Sequence, residues 1–232
     1  MDLSWNTAYK VIDELKIITS IEIRRMLKAT VKQNSSIFNS SNCYICKFGE
    51  PGKSGEILLY EFRHACSEYS SRIIETWEIP NLPENSRIIF VDDLLGTGQQ
   101  SIDYIGDVVN PFLNPSHNAF LLSLCGTPQG IQNIRANTNF QVICHLNLDE
   151  EKYQHYSCKS TIFNDEERKH IKQINDMLSS QRDLIFDKGL LIAFYYTVPN
   201  NTMPFIWKDN HSYTDPKRGS KNWFALLPRK YG

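Results

Sequence analysis

Two adjacent carboxylates, Asp92 and Asp93, follow four apolar residues and precede a short glycine turn in the segment IIFVDDLLGTGQQS. Carboxylates accept hydrogen bonds from vicinal hydroxyl groups, and they are the ligands that Mg²⁺ takes from proteins. Gly96 and Gly98 let the backbone approach a ligand closely, and the amides that open the next helix attract phosphate. The segment therefore predicts a ligand with a polyol and a phosphate. The structural alternative is that one aspartate caps the helix and the glycines only make a tight turn.

A second glycine-rich stretch, GEPGKSG, spans residues 49–55 and is called the lysine loop below. Lys53 and the amides around Ser54 and Gly55 are chemically suited to bind an anionic group. The spacing between the glycines is too short for the P-loop of a nucleoside triphosphatase. The alternative is a plain strand-to-helix turn with an exposed lysine.

Short continuous apolar runs alternate with stretches of helical periodicity along the chain. Such runs indicate strands covered on both faces, and the alternation indicates a parallel sheet. In doubly wound sheets, ligands bind beyond the carboxyl ends of the strands, so both glycine-rich stretches are expected at one edge. We predict an α/β fold with a doubly wound, mostly parallel sheet. The predicted strands are 43–48, 88–91, 120–125, 142–146 and 190–196.

The chain of 232 residues is long enough for one domain with a sizeable core. We predict a helical preface over residues 1–40, a core over 41–198 and a C-terminal hood over 199–232. Residues 147–188 lack a clear strand and are predicted to be an insertion.

The preface is predicted to begin with a helix over residues 5–18. Thr19 and Glu22 have the spacing of a capping box, which opens a second helix that runs through Val31. A further helix is predicted around Ile171. The apolar face of the first helix comprises Trp5, Ala8, Tyr9, Ile12 and Leu15.

Charge and apolar patterning exclude several classes of protein. The formal net charge of −1 provides no overall basic field that would gather nucleic acid. The first ten residues lack a basic stretch followed by an apolar run, and no segment approaches the roughly 18 apolar residues of a membrane helix. We therefore expect a cytoplasmic protein that does not cross a membrane.

The six cysteines are expected to be reduced thiols, four of them inside apolar runs. Cys43 and Cys46 form a C-x-x-C, but they fall in a predicted strand on opposite faces, and no second pair stands at zinc spacing. The histidines also lack zinc-ligand spacing. A structural role is therefore the expectation for Cys43 and Cys46.

The segment IIFVDDLLGTGQQS resembles the phosphoribosyl pyrophosphate motif of type I phosphoribosyltransferases. The resemblance implies that Asp92 and Asp93 lie along the ribose hydroxyls and beside Mg²⁺, while Lys53 stabilises the pyrophosphate. Similar P-G-K-S-G loops with a G-T-G turn occur in a branch associated with bacterial conflict and antiphage systems. The remaining implied ligand-binding residues are Gly52, Ser54 and Gly55 for the pyrophosphate, and Leu95, Gly96, Thr97, Gly98, Gln99, Gln100 and Ser101 for the 5′-phosphate.

The C-terminal hood of this family usually recognises the base or another acceptor. Trp207 is therefore a candidate stacking residue, together with other aromatic and basic side chains of this segment. The alternative for each aromatic residue is a place in a core or an interface. The other candidates are Phe205, Trp223, Lys208, Lys217, Arg218 and Lys221.

Three functions remain open from the sequence. The first is a phosphoribosyltransferase-like protein, of the homodimeric kind common in this fold, that binds phosphoribosyl pyrophosphate or a related ribose phosphate with Mg²⁺ and transfers the phosphoribosyl group to an acceptor. The second is a non-catalytic nucleotide sensor or toxic effector of an antiphage system that acts with partner proteins. It is motivated by Gly96, which replaces a common threonine, and by Gln99 and Gln100, which replace small residues. The third is a nucleic-acid-linked role for the basic residues 217–229.

Overall fold

The computed structural model describes residues 4–208, 211–215 and 219–229. Contacts divide the chain into two compact units. The central unit is Thr19–Asn147, and the terminal unit combines Met1–Ile18 with Leu148–Gly232. The contact boundaries thus differ from those of the predicted preface, core and hood, and the one-domain organisation stays a prediction.

Within the described ranges, no helix has the length and apolar character that crossing a bilayer requires.

Helices and strands alternate through the central unit, and the terminal unit adds further elements. The helices are α1 Trp5–Glu14, α2 Ser20–Gln33, α3 Ser35–Phe38, α4 Ser54–Ala65, α5 Gln99–Tyr104, α6 Pro128–Asn137, α7 Asp165–Leu178 and α8 Gln181–Phe186. The strands are β1 Lys16–Ile18, β2 Cys43–Lys47, β3 Arg87–Leu95, β4 Asn118–Gly126, β5 Gln141–Asn147, β6 Ile192–Phe194, β7 His211–Asp215 and β8 Gly219–Trp223. Short 3-10 helices cover Ser67–Arg72, Thr76–Asn81, Asn110–Phe112 and Pro204–Ile206, and a π-helical turn covers Ile105–Val109.

The central unit is built on a parallel four-stranded sheet in the order β2-β3-β4-β5. Residues 88–91 of β3 are completely buried. On one face, Ile88 and Phe90 pack with Ile105 and Ile134 from the helical segments beyond the strand ends. Because consecutive side chains of a strand point to opposite faces, this burial requires cover on both faces. The α/β class and the strands predicted over 43–48, 88–91, 120–125 and 142–146 are confirmed.

Strand β3 continues four residues further than its apolar run. Asp92 pairs with Ser123, and Leu95 at the end of the strand pairs with Gly126. The apolar run predicted a strand over 88–91 with the two aspartates at its end, since acidic residues are poor strand formers in isolation. The observed strand extends past them to Leu95. The neighbouring strand β4 is equally long and supplies the hydrogen-bonding partners. Asp92 and Asp93 therefore project from a paired strand rather than from a loop.

The terminal unit contains two small sheets and its own core. β1 and β6 form a parallel pair, and β7 and β8 form an antiparallel hairpin. The predicted strand 190–196 shortens to β6 and pairs with β1, not with the central sheet. The interval 147–188, predicted to be an insertion, supplies the predicted helix as α7, whose buried side chains build this core. They are Ile171, Ile174 and Leu178.

Helix α1 buries only part of the face that its apolar pattern predicts: Leu15 packs against the core beside the buried Val11, whereas other residues of that face are exposed. Trp5 is 82% exposed and Tyr9 is 68% exposed, whereas Thr7 is buried. The reason is Glu167 at the start of α7, which accepts hydrogen bonds from the Thr7 hydroxyl at 3.3 Å and from Lys10 Nζ at 2.7 Å. A polar contact distant in sequence thus contributes to the buried face, and the helix ends at Glu14 instead of residue 18.

The two thiols of the C-x-x-C, Cys43 and Cys46, are fully buried in β2. Burial raises the pKa of the Cys43 thiol to about 11 and also raises the pKa of Cys46. Both groups are therefore protonated at neutral pH, and a protonated thiol is neither a nucleophile nor a metal ligand.

A buried carboxylate, that of Glu61, joins helices α2 and α4. The capping box of Thr19 and Glu22 opens α2 as predicted. Glu61 on α4 is 1% exposed, and it accepts from Arg24 Nε at 2.6 Å and from Ser20 Oγ at 3.0 Å.

Arg24→Ala is expected to lower the free energy of unfolding by about 3 kcal/mol, because it removes the cation that compensates a buried charge. Urea denaturation at neutral pH measures the change. Arg25→Ala, at an exposed position on the same helix, should change stability by less than about 0.5 kcal/mol. Equal effects of the two substitutions would contradict the assignment.

Candidate functional site

The two aspartates of β3 form a crowded acidic pair. Asp93 is 8% exposed, Asp92 is partly exposed, and Asp92 Oδ1 accepts a hydrogen bond from the Asp93 backbone N–H at 3.0 Å. Burial raises the pKa of Asp92 well above its ordinary value, and the neighbouring Asp93 carboxylate raises it further. Such a pair favours hydroxyl donors or a cation, because either relieves the repulsion between the carboxylates.

After β3 the chain passes through the glycine turn, residues 95–98, whose carbonyl groups are held from one side. The Thr127 backbone N–H donates to the Leu95 carbonyl at 2.9 Å, and the Thr127 hydroxyl donates to the Gly96 carbonyl at 2.5 Å. The Asn133 side chain donates to the Thr97 carbonyl at 2.8 Å. Three consecutive carbonyl groups therefore point toward the start of α6.

In the described part of the chain, the last three amides of the glycine turn have no such partners. Among the residues that the structure describes, the backbone N–H groups of Gly96, Thr97 and Gly98 donate to no protein acceptor. Gly98 has a left-handed φ of 82°, and an added Cβ would lie 2.7 Å from the Gly130 carbonyl oxygen. The turn therefore requires glycine at this position, and it offers several N–H groups to an anion.

The lysine loop follows the neighbouring strand β2. Lys53 is exposed and immediately precedes α4. Gly55 in the first turn of α4 lies against the strand end, since an added Cβ would be 1.9 Å from the Phe48 carbonyl oxygen. This close approach presses the start of α4 against the end of β2 and leaves the Lys53 ammonium group at the surface.

The parallel pairing of β2 and β3 brings both glycine-rich stretches to one edge of the sheet, as the sequence predicted. Tyr104 at the end of α5 links them, because its hydroxyl donates to the Gly49 carbonyl at 2.9 Å. The Tyr104 ring packs edge-on against Phe48 with 4.8 Å between the centroids. The lysine loop is thus in direct contact with the helix that follows the glycine turn.

The other predicted ligand-binding residues of this edge differ in exposure. Gln99 is directed along its own helix, since its side chain donates to Asp103 at 2.7 Å. The exposed residues are Gly52, Lys53, Gln99 and Gln100, the partly exposed residues are Ser54 and Thr97, and the buried residues are Gly55, Leu95, Gly96, Gly98 and Ser101.

Trp207 belongs to the core of the terminal unit. It is 2% exposed, its indole N–H donates to the Thr202 carbonyl at 2.9 Å, and the Arg229 guanidinium lies 3.9 Å from the ring centroid. Phe205 is also buried, at 4% exposure. The prediction that Trp207 and Phe205 present stacking faces was wrong, because the apolar segment 203–207 packs inward against α7.

The remaining residues predicted for the hood differ in their surroundings. Trp223 is partly buried and donates its indole N–H to the Phe205 carbonyl at 3.0 Å, and Lys208 forms an ion pair with Asp183 at 2.8 Å. Lys217 and Arg218 lie outside the described residues, as does the side chain of Lys221.

The acidic pair matches the way in which proteins hold Mg²⁺. In the part of the chain that the structure describes, no group of three or more His, Cys, Asp or Glu residues could form an all-protein metal site. Mg²⁺ is usually held by one or two carboxylates together with phosphate oxygens of a substrate. Asp92 and Asp93 fit that donor set: the Asp93 charge contributes to the raised pKa of Asp92, and a cation beside the two carboxylates would offset this repulsion.

Sequence reasoning missed the residues that support the two loops. Thr127 and Pro128 carry the signal of a helix start, a capping hydroxyl followed by proline at the first helical position. Nothing in the local pattern of Asn133 or Tyr104 signals a contact across the site.

Comparison with known proteins gives one match over nearly the whole chain and several partial structural similarities. A family model described as PRTase-CE matches residues 3–229. No match was found among curated proteins.

Among solved structures, the chain is similar to an orotate phosphoribosyltransferase from Aeropyrum pernix, with 15% identity, a TM-score of 0.38, and coverage of 54% of this chain and 69% of that chain. It is similar to a hypoxanthine-guanine phosphoribosyltransferase from Schistosoma mansoni in complex with IMP, with 12% identity, a TM-score of 0.37, and coverage of 58% and 66%. A hypoxanthine phosphoribosyltransferase of Trypanosoma cruzi has 13% identity, a TM-score of 0.39, and coverage of 59% and 83%.

Proposed function

This chain belongs to the PRTase-CE family, and from that premise we propose that its central unit binds phosphoribosyl pyrophosphate, or a related ribose phosphate, together with Mg²⁺. The observation that carries the proposal is the glycine turn. Its carbonyl groups are bonded to Thr127 and Asn133, while three consecutive amides lack protein acceptors among the described residues. A tetrahedral phosphate accepts several such hydrogen bonds at once. The 5′-phosphate of the ligand occupies this turn.

The ribose lies along Asp92 and Asp93. Ionised carboxylates are acceptors only, so vicinal ribose hydroxyls can each donate to them. The same two residues would hold Mg²⁺ together with ligand oxygens. A bound Mg²⁺ ion supplies positive charge that stabilises the negative charge on a departing pyrophosphate. The carboxylates keep the sugar in a defined orientation relative to the lysine loop.

Phosphoribosyl transfer needs no nucleophile from the protein. The bond between ribose C1 and the pyrophosphate oxygen breaks, and its electron pair leaves with the pyrophosphate. The acceptor atom forms the new bond to C1, through a transition state with oxocarbenium character. This chain contributes orientation of the sugar and charge stabilisation by Lys53 and the adjacent amides. The direct test is release of pyrophosphate from phosphoribosyl pyrophosphate in the presence of a panel of acceptors.

Lys53 gives a selective prediction within this proposal. Its exposed ammonium group contacts the pyrophosphate and not the 5′-phosphate. Lys53→Ala should therefore weaken the binding of phosphoribosyl pyrophosphate about 10- to 100-fold, the value of a charge-assisted hydrogen bond. The affinity for ribose 5-phosphate should change by less than about twofold.

Calorimetric titration of both ligands measures the difference, and Lys28→Ala, at an exposed position on α2, serves as the control. An equal loss of affinity for the two ligands would contradict the placement of Lys53 in the pyrophosphate subsite.

A non-catalytic alternative is favoured by two observations. Gln99 bonds to Asp103 along its own helix, and the aromatic residues expected to recognise a base, Phe205 and Trp207, are buried. In this alternative, the same surface senses a nucleotide, and the protein acts as an effector with protein partners of an antiphage system. Ligand binding without pyrophosphate release, combined with stable association with the product of a neighbouring gene, would favour it over transfer.

A further inference from the structure

One side chain joins the two loops of the site. The Tyr104 hydroxyl donates to the Gly49 carbonyl at 2.9 Å, and Gly49 is the first residue of the lysine loop. Tyr104 itself lies at the end of α5, the helix that begins directly after Gly98 of the glycine turn. A displacement of Gly49 relative to the end of α5 must therefore stretch this hydrogen bond.

The position of the Tyr104 ring is fixed by packing as well as by its hydroxyl. The ring lies edge-on against Phe48, with 4.8 Å between the centroids and 71° between the planes. Directly after Tyr104 the helix widens into the π-helical turn Ile105–Val109, in which Ile105 and Val109 are buried. A π-helical turn adds a residue to the helix and alters which side chains share a face. The local helix geometry thus lets Tyr104 reach the lysine loop while the next residues enter the core.

The lysine loop has further hydrogen bonds near its tip: the Glu56 backbone N–H donates to the Lys53 carbonyl at 3.2 Å, and the Glu56 carboxylate accepts from the Gly52 backbone N–H. The Lys53 backbone N–H donates to the Glu50 carbonyl at 3.3 Å, which is a long hydrogen bond. Gly49 and Gly52 both have a positive φ, which glycine adopts readily because it has no Cβ. The Tyr104 hydroxyl therefore provides the shorter anchor where the loop begins.

We propose that Tyr104 is a positioning residue that sets the separation between the lysine loop and the glycine turn. The part of this proposal that concerns ligands rests on the proposed function. Only a ligand with phosphate groups at both ends requires the two loops at a fixed separation. A ligand with a single phosphate binds at the glycine turn and does not contact the lysine loop. Tyr104 thus favours a pyrophosphate-bearing ligand over its monophosphate counterpart without contacting either.

The test is Tyr104→Phe, which keeps the ring against Phe48 and removes only the hydroxyl. Affinity for phosphoribosyl pyrophosphate should fall about three- to tenfold, the value of one hydrogen bond, while affinity for ribose 5-phosphate stays within about twofold. Without any ligand, backbone amides of the lysine loop should exchange with solvent deuterium several-fold faster than in the wild type. Tyr60→Phe, at a position that is 55% exposed on α4, is the matched control and should change neither quantity.

Four outcomes separate this inference from the proposed function. Faster exchange of the lysine loop together with a selective loss of pyrophosphate affinity supports the role of Tyr104. Unchanged exchange in the lysine loop overturns it, and so does an equal loss for both ligands. If the wild-type protein binds neither ligand, the proposed function fails, and the exchange rates alone decide whether Tyr104 anchors the loop.

Discussion

The double variant Asp92→Asn, Asp93→Asn is expected to bind phosphoribosyl pyrophosphate at least about 100-fold more weakly than the wild-type protein. Two carboxylates that accept ribose hydroxyls and attract Mg²⁺ become neutral amides. Loss of two charge-assisted interactions of about 1.5–3 kcal/mol each is sufficient for an effect of this size. Calorimetric titration with Mg²⁺ present measures the affinity.

The same double variant should remain folded. Burial and the Asp93 carboxylate raise the pKa of Asp92, so ionisation of Asp92 at neutral pH opposes folding. Neutral asparagine removes that cost, and the asparagine side-chain oxygen at position 92 can still accept the backbone N–H of residue 93. The thermal midpoint at pH 7 should therefore equal or exceed that of the wild type.

A matched control for the double variant is Asp107→Asn, at an exposed position in the π-helical turn, which should affect neither affinity nor stability. Unchanged affinity in the double variant would refute the assignment of the acidic pair. A large loss of stability would show that the two carboxylates serve the fold instead.

Gly55→Ala is expected to have the largest effect on the fold of the lysine loop. An added Cβ would lie 1.9 Å from the Phe48 carbonyl oxygen and 3.0 Å from its carbonyl carbon. Backbone atoms cannot move aside as a flexible side chain can, so α4 must shift away from β2. The free energy of unfolding should fall by at least about 2 kcal/mol. Urea denaturation measures this loss.

Gly106→Ala is the natural comparison, because an added Cβ there would meet no atom within 4 Å. That substitution should leave stability unchanged or raise it by about 0.5 kcal/mol, since alanine restricts the unfolded chain more than glycine does. If Gly55→Ala were as stable as Gly106→Ala, the close approach of α4 to the end of β2 would be wrong.

The sequence predicted the central sheet well, because buried parallel strands are encoded by continuous apolar runs. Residues 88–91 are such a run, and the common edge of the two glycine-rich stretches follows from the parallel order of strands alone. The extension of β3 through Asp92 was not predictable from these residues, since it depends on pairing with Ser123 in β4. The length of β3 thus depends on its pairing with β4 as well as on its own residues.

The terminal unit was predicted less well, because contacts distant in sequence determine its arrangement. Glu167 binds Thr7 and Lys10 of α1. Trp5 and Tyr9, which the apolar pattern predicted to be buried, are exposed. Trp207 was a candidate recognition residue because it lies in the predicted hood, yet it is buried and the Arg229 guanidinium covers its ring. Tyr104 and Asn133 act across the site through single hydrogen bonds, which leave no periodic signal in the sequence.

The most direct measurement is calorimetric titration of the purified chain with phosphoribosyl pyrophosphate, with and without Mg²⁺, beside ribose 5-phosphate. Mg²⁺-dependent binding of phosphoribosyl pyrophosphate, with weaker binding of ribose 5-phosphate, is the predicted result. Absence of binding for both ligands in the presence of Mg²⁺ would contradict the account. The acidic pair and the glycine turn would then be elements of the fold without a ribose-phosphate ligand.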